Sequence, residues 1–124
     1  NPDQVRAQLE GGVVQGASSA LLEALRLERG RPLNASLVDY RIATAVDTPR
    51  QVLASIVEVP QDDGPWGARG IGEHPMIATA PAIANALHDA LGIRFNDLPL
   101  TAERVFTTIE EGKARQEDRG KGKE

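Results

Sequence analysis

Residues 64–75 read GPWGARGIGEHP. Four of its twelve positions are glycine, it holds the only Trp, and an acid, Glu73, follows directly on Gly72. Glycine tolerates φ/ψ values closed to other residues and lets another group come close to the main chain. Residues 68–73 set small residues around one Ile, so little bulk screens the backbone. A carboxylate closing such a loop is aimed by the main chain. Pro75 follows, and then an Ala-rich run to Leu91 that predicts a helix over 76–91. On spacing alone, such a stretch is ordinarily a strand-to-helix connection with its acid favourably placed at a helix start.

Length and composition bound what the chain can be. At 124 residues it is one domain at most. Hydrophobics make up 40% but aromatics only 3%, so the core is expected to be small aliphatics that bury less area per residue. Such a core suggests reliance on other segments or a partner. The formal charge of −4 argues against a nucleic-acid or anionic-membrane surface. No apolar run is long enough to span a bilayer, and no signal-peptide pattern opens the chain. With no Cys there is no disulfide, thiolate metal site or Fe–S ligand here, and His74 and His88 alone do not make a zinc site.

In chain order, Asn1 or Asp3 can cap a helix predicted over 4–27, with Val5, Leu9, Val13, Leu21 and Leu25 near helical spacing. Gly11, Gly12 and Gly16 interrupt it, each costing about 1 kcal/mol against Ala. Gly12 and Gly16 share a face, which suits either tight helix packing or the approach of a flat ligand. Gln8 and Gln15 also share a side. Residues 28–32 read as a turn. Residues 51–59, QVLASIVEV, read as the clearest strand, from their β-branched residues and partial alternation. Asp62 and Asp63 are adjacent acids in a polar loop, ordinarily solvated. Pro81 either lies in the first turn of a helix beginning near Thr79 or kinks one beginning earlier. Gly92 is a C-cap and Thr101 an N-cap for a short helix over 102–111. Residues 112–124, rich in Lys, Arg, Glu and Gly without an apolar stripe, read as a disordered tail. The expected class is α+β: two main helices and a short C-terminal helix packed on a small sheet around 51–59.

Three segments resemble the C-terminal part of the large subunit of the molybdenum hydroxylases, the family of xanthine dehydrogenases, aldehyde oxidoreductases and aerobic carbon monoxide dehydrogenases. Residues 7–16, AQLEGGVVQG, are similar to the family's Q-hydrophobic-E-G-G/A-x-x-Q-G helix. Residues 37–49, LVDYRIATAVDTP, resemble its D-Y-x-[IL]-P-T-A-x-D-x-P stretch, with Ala43 where Pro is common. Residues 67–75, GARGIGEHP, resemble its K-G-x-G-E-x-P loop, with Arg69 where Lys is frequent. Order and spacing agree.

The resemblance implies that residues 1–111 are the C-terminal portion of a larger molybdopterin-binding domain. It implies that Glu73 is the catalytic base, taking a proton from a hydroxyl held at molybdenum as an aldehyde or N-heterocycle/purine carbon is hydroxylated with water. A base of this kind works best where exclusion of water raises its pKa. The resemblance places Gln8 against the pterin, and Gly70, Ile71 and Gly72 offer backbone groups beside it, with the helix glycines lying near the cofactor. The implied cofactor is the molybdenum cofactor, as molybdopterin or its cytosine dinucleotide form, with Fe–S and FAD groups on other chains or segments. The implied partners are the remainder of the molybdopterin-binding subunit, Fe–S and flavin subunits and a small-molecule substrate, in the cytoplasm or the periplasm. The chain by itself is expected neither to hold the cofactor firmly nor to turn over. The alternative is a non-catalytic interaction module that keeps the fold, for which an acid retained in the glycine loop has no use.

Overall fold

The structure, a computed structural model, describes residues 1–121. Its elements are α1 (Pro2–Leu21), β1 (Leu27–Glu28), β2 (Arg31–Pro32), α2 (His74–Leu91) and α3 (Ala102–Lys121), with one 3-10 turn at Pro65–Gly67. The α+β class holds, but the sheet is not where the pattern placed it.

Asn1 caps α1: its Oδ1 accepts the N–H groups of Asp3 and Gln4 at 3.1 and 3.2 Å, two of the donors a helix start leaves unpaired. The helix stops at Leu21, short of the expected residue 27. The N–H groups of Leu22 and Glu23 both turn back to the Ser18 carbonyl. Beyond them the buried Asn34 amide donates to the Ala24 carbonyl at 2.7 Å and accepts from Arg26 N–H at 2.8 Å. That bridge satisfies backbone groups a further helical turn would have used. Leu25 and Leu27 therefore leave the helical stripe and stand exposed.

The small sheet is the ladder β1–β2, antiparallel, pairing Leu27 with Pro32 and Glu28 with Arg31. Arg29 and Gly30 close it with φ of 48° and 78°, the doubly left-handed form a two-residue hairpin requires. Residues 28–32, read as a turn, are thus a minimal hairpin. Residues 51–59 form no strand: strand character alone does not make a ladder, and no described segment pairs with them.

The helices α1 and α2 pack closely and in parallel. A Cβ on Gly12 would stand 2.8 Å from Pro75 Cβ, and one on Gly16 2.6 Å from Thr79 Cβ and 2.9 Å from the Met76 carbonyl oxygen. The glycines therefore face side chains of α2, which corrects the expectation that they lie near the cofactor. Tight helix packing is their reason. α2 begins at His74, ahead of the expected Met76, and carries Pro81 in its interior. It ends as read, with Gly92 left-handed at φ 68° and donating to the His88 carbonyl.

Leu100 N–H donates to the Ala20 carbonyl at 2.6 Å, tying the α2–α3 connection to the end of α1. Ala20 and Leu100 are the buried hydrophobics among the described residues. Thr101 caps α3, its Oγ1 accepting from Arg104 N–H at 3.2 Å. α3 continues to Lys121, past the expected end at 111, so the first part of the segment read as disordered tail is helical. Residues 122–124 lie outside the described residues.

Candidate cofactor and proton-transfer site

The loop ahead of α2 is built by short backbone bonds. Gln61 N–H donates to the Gly67 carbonyl, Gly64 N–H to the Gln61 carbonyl and Gly67 N–H to the Gly64 carbonyl, all between 3.0 and 3.2 Å. Gly64 is required there, because a Cβ would stand 2.6 Å from the Ala68 carbonyl oxygen. Trp66, at the tip, takes φ 54° and is fully exposed. A bulky residue in the left-handed region is uncommon, and this one is held by the bonds on either side of it.

After Ala68 the loop changes character. Gly70 and Gly72 have open space where a Cβ would be, so neither is demanded by crowding among the described residues. The N–H groups of Gly70, Ile71 and Gly72 have no backbone or side-chain acceptor among the described residues. The loop thus presents a bare main chain with donors free, leading straight into α2.

Glu73 stands at the N-cap of α2 with φ −103° and ψ −22°. Its carbonyl accepts from Met76 and Ile77, while its carboxylate makes no cap hydrogen bond and is exposed. This chain therefore does not itself supply the dry surroundings expected of the base. Gln8 is exposed on α1. It stands one turn ahead of Gly12 on the stripe that runs on to Gly16. Because Gly12 meets Pro75 and Gly16 meets Thr79, Gln8 lies one helical turn ahead of the point where α2 begins against α1. The helix pair so brings Gln8 and the loop ending in Glu73 to one end.

A cavity of about 1000 Å³ opens beside this end, walled by Val5, Ile56, Val59, Gly70, Ile71 and His74 among others. Of the expected site residues, Gly70 and Ile71 line it, while Gln8, Gly72 and Glu73 do not. A second, more apolar groove of about 570 Å³ lies between residues 52–55 and the two helices. Asp62 and Asp63 are both exposed. Among the described residues no group of three or more His, Asp or Glu could hold a metal ion.

Two features escaped the pattern. Arg69 Nε donates to Gln61 Oε1 at 3.1 Å and its Nη1 to the Val59 carbonyl at 3.5 Å, a link joining residues eight and ten apart that no periodicity signals. The 37–49 motif packs on the end of α1: Ala43 N–H donates to Ser18 Oγ at 2.8 Å, and Tyr40 donates to Glu23 at 2.7 Å. Burial pushes the Glu23 carboxyl up, but hydrogen bonds from Ser18, Tyr40 and Ser19 outweigh it and hold the group below its ordinary value. The same bond pushes the Tyr40 hydroxyl up.

Residues 1–49 match the molybdopterin cofactor-binding domain family. The chain is 36% identical over 110 residues to the gamma subunit of the 6-hydroxypseudooxynicotine dehydrogenase complex of Paenarthrobacter nicotinovorans, covering 86% of this chain and 14% of that protein. It is 35% identical over 108 residues to the xanthine dehydrogenase molybdenum-binding subunit of Escherichia coli, with the same coverage of each. Quinoline 2-oxidoreductase from Pseudomonas putida superposes on 90% of the chain with a TM-score of 0.80 and 32% identity, over 14% of its own length. The chain belongs to the molybdenum hydroxylase family, among its molybdopterin-binding large subunits, and spans about 14% of the length of these relatives.

Proposed function

We propose that this chain is the catalytic piece of a molybdenum-cofactor oxidoreductase in which Glu73 is the general base. The observation that supports the reading is the bare 70–72 backbone leading straight to Glu73 at the start of α2, which packs on α1 one turn beyond Gln8. The residues present fit a pterin cofactor. Unpaired N–H donors, glycines with open space before them and an exposed amide suit a polar group laid close to the main chain. Among the described residues no cluster of three or more His, Asp or Glu could hold a metal, and the donors that are present suit the pterin.

When bound, the cofactor supplies the oxidation of an aldehyde, N-heterocycle or purine carbon, with oxygen drawn from water. The chain's own residues do the rest. The Gln8 amide and the N–H groups of Gly70, Ile71 and Gly72 bind and orient the pterin. The Glu73 carboxylate accepts a proton at one oxygen and holds it for release to solvent. Its reach is set by the loop, since the side chain has no hydrogen bond of its own to fix it. The exclusion of water that such a base needs comes from the remainder of the molybdopterin-binding subunit. Fe–S and flavin groups on other chains or segments carry the electrons away.

The test is the molybdenum and pterin content of this chain pulled down from its own cells. Molybdenum recovered together with a larger molybdopterin-binding partner is the expected result. A chain that comes down alone and metal-free supports the non-catalytic module instead.

A further inference from the structure

We infer that Trp66 is a docking anchor, its indole seated in an apolar pocket on the remainder of the molybdopterin-binding subunit. The inference rests on the reading of this chain as one piece of that larger subunit. Trp66 is the only Trp and is 100% exposed, so it adds nothing to the core. Its backbone is nonetheless closely held. Pro65 enters the tip with its φ fixed by the ring, and Trp66 and Gly67 follow at φ 54° and 72°. Gly67 N–H donates to the Gly64 carbonyl at 3.0 Å and Ala68 N–H to the Pro65 carbonyl at 3.1 Å, closing the turn beneath the indole. Gln61 N–H donates to the Gly67 carbonyl at 3.2 Å, and a Cβ on Gly67 would stand 3.1 Å from Pro60 Cβ. A side chain with two rotatable bonds on so constrained a turn loses little freedom when it docks.

The surroundings set the chemistry of the occupant. Trp66 shares the wall of the 1000 Å³ cavity with Val5, Ile56, Val57, Val59 and Ile71. Val57 and Val59 are 84% and 55% exposed, so the face beside the indole is apolar and wet. It suits aliphatic side chains, with one acceptor for the indole N–H, better than it suits a polar cofactor. Area decides between the remainder of the subunit and a second copy of this chain. The chain exposes 10242 Å², about 3,800 Å² more than a compact monomer of 13.3 kDa. A standard interface covers ~800 Å² of each partner and a large obligate dimer about 2,500 Å². A second copy therefore leaves much of the excess uncovered, whereas the relatives, of whose length this chain spans about 14%, carry a far larger body.

The experiment is hydroxyl-radical footprinting of the assembled enzyme, recovered from its own cells, with Trp66 oxidation read by mass spectrometry. The same enzyme unfolded in guanidinium is the reference. Trp66 is expected to oxidise at least ~10-fold more slowly in the native enzyme, as a side chain in a water-excluding pocket does. A photo-reactive benzophenone amino acid in place of Trp66 then identifies what covers it. A cross-link to a peptide of the molybdopterin-binding subunit outside residues 1–124 is the expected result. Trp66 as reactive in the native enzyme as in the unfolded one overturns the inference. So does a cross-link to a second copy of this chain or to an Fe–S or flavin chain, and so does protection with no peptide cross-linked, which assigns the cover to the cofactor. If the larger subunit is present and Trp66 is reactive, only the anchor falls. If the chain is recovered with no larger molybdopterin-binding body, the reading of it as a piece falls and takes the anchor with it.

Discussion

Gly16 has no room for a side chain: a Cβ there would stand 2.6 Å from Thr79 Cβ and 2.9 Å from a backbone oxygen of α2. Gly11, one position ahead of Gly12, would meet nothing within 4 Å. G16A should therefore destabilise the assembled subunit by ~1–3 kcal/mol through overpacking. G11A should be neutral or stabilising by ~0.5–1 kcal/mol, as Ala replaces Gly in an open helical position. Thermal melts of the two variants check this, and equal effects would contradict the packing role of Gly16. Glu23 makes part of the stability depend on pH. A carboxyl whose folded pKa is lowered contributes stability at and above the ordinary carboxyl range, and loses it as pH falls through the folded value. Y40F should lower Tm at neutral pH, and the gap from native should close as the medium is acidified below that value. A gap that stays constant with pH would mean that the Tyr40–Glu23 bond is not what the hydroxyl contributes. Glu73 itself was legible as an acid ending a glycine loop. Arg69 was not, because its partners are set by how the loop folds back.

Among the elements, helix starts and stops were readable where one residue supplies the signal. Asn1, Gly92 and Thr101 cap as their chemistry dictates. Ends that depend on distant groups were not readable. α1 stops early because Asn34, in a later loop, takes its next backbone groups. α3 runs on because helix-compatible charged residues need no apolar stripe to remain helical, and Lys113 pairs with Glu110 at 2.7 Å one turn away. The hairpin β1–β2 was missed because two-residue strands are too short to alternate. Residues 51–59 carry a strand pattern with no strand beside them among the described residues, Leu53 and Val57 standing largely exposed. Their unpaired backbone suits strand addition by the remainder of the molybdopterin-binding subunit. Amide hydrogen exchange over 52–59 should be fast in the chain alone and slowed at least ~10-fold in the assembled enzyme. Equal rates in the two would contradict that pairing.

At the scale of the whole molecule, the accessible surface is 10242 Å². A compact monomer of 13.3 kDa would expose about 6,400 Å². The excess matches the poverty of the core, in which Ala20 and Leu100 are the buried hydrophobics described. It also matches a chain that spans about 14% of the length of its relatives. The paucity of aromatics already pointed to a core shared with other segments, whereas the open end beside Glu73 became visible only with the helix register. The proposed base of a molybdenum hydroxylase, Glu73, stands at this open end. The most direct test is the turnover of the E73Q holoenzyme with its molybdenum content measured in the same preparation. The expected loss is ~10²- to 10⁴-fold, the range of general base catalysis, with molybdenum retained. Native turnover by E73Q would contradict it.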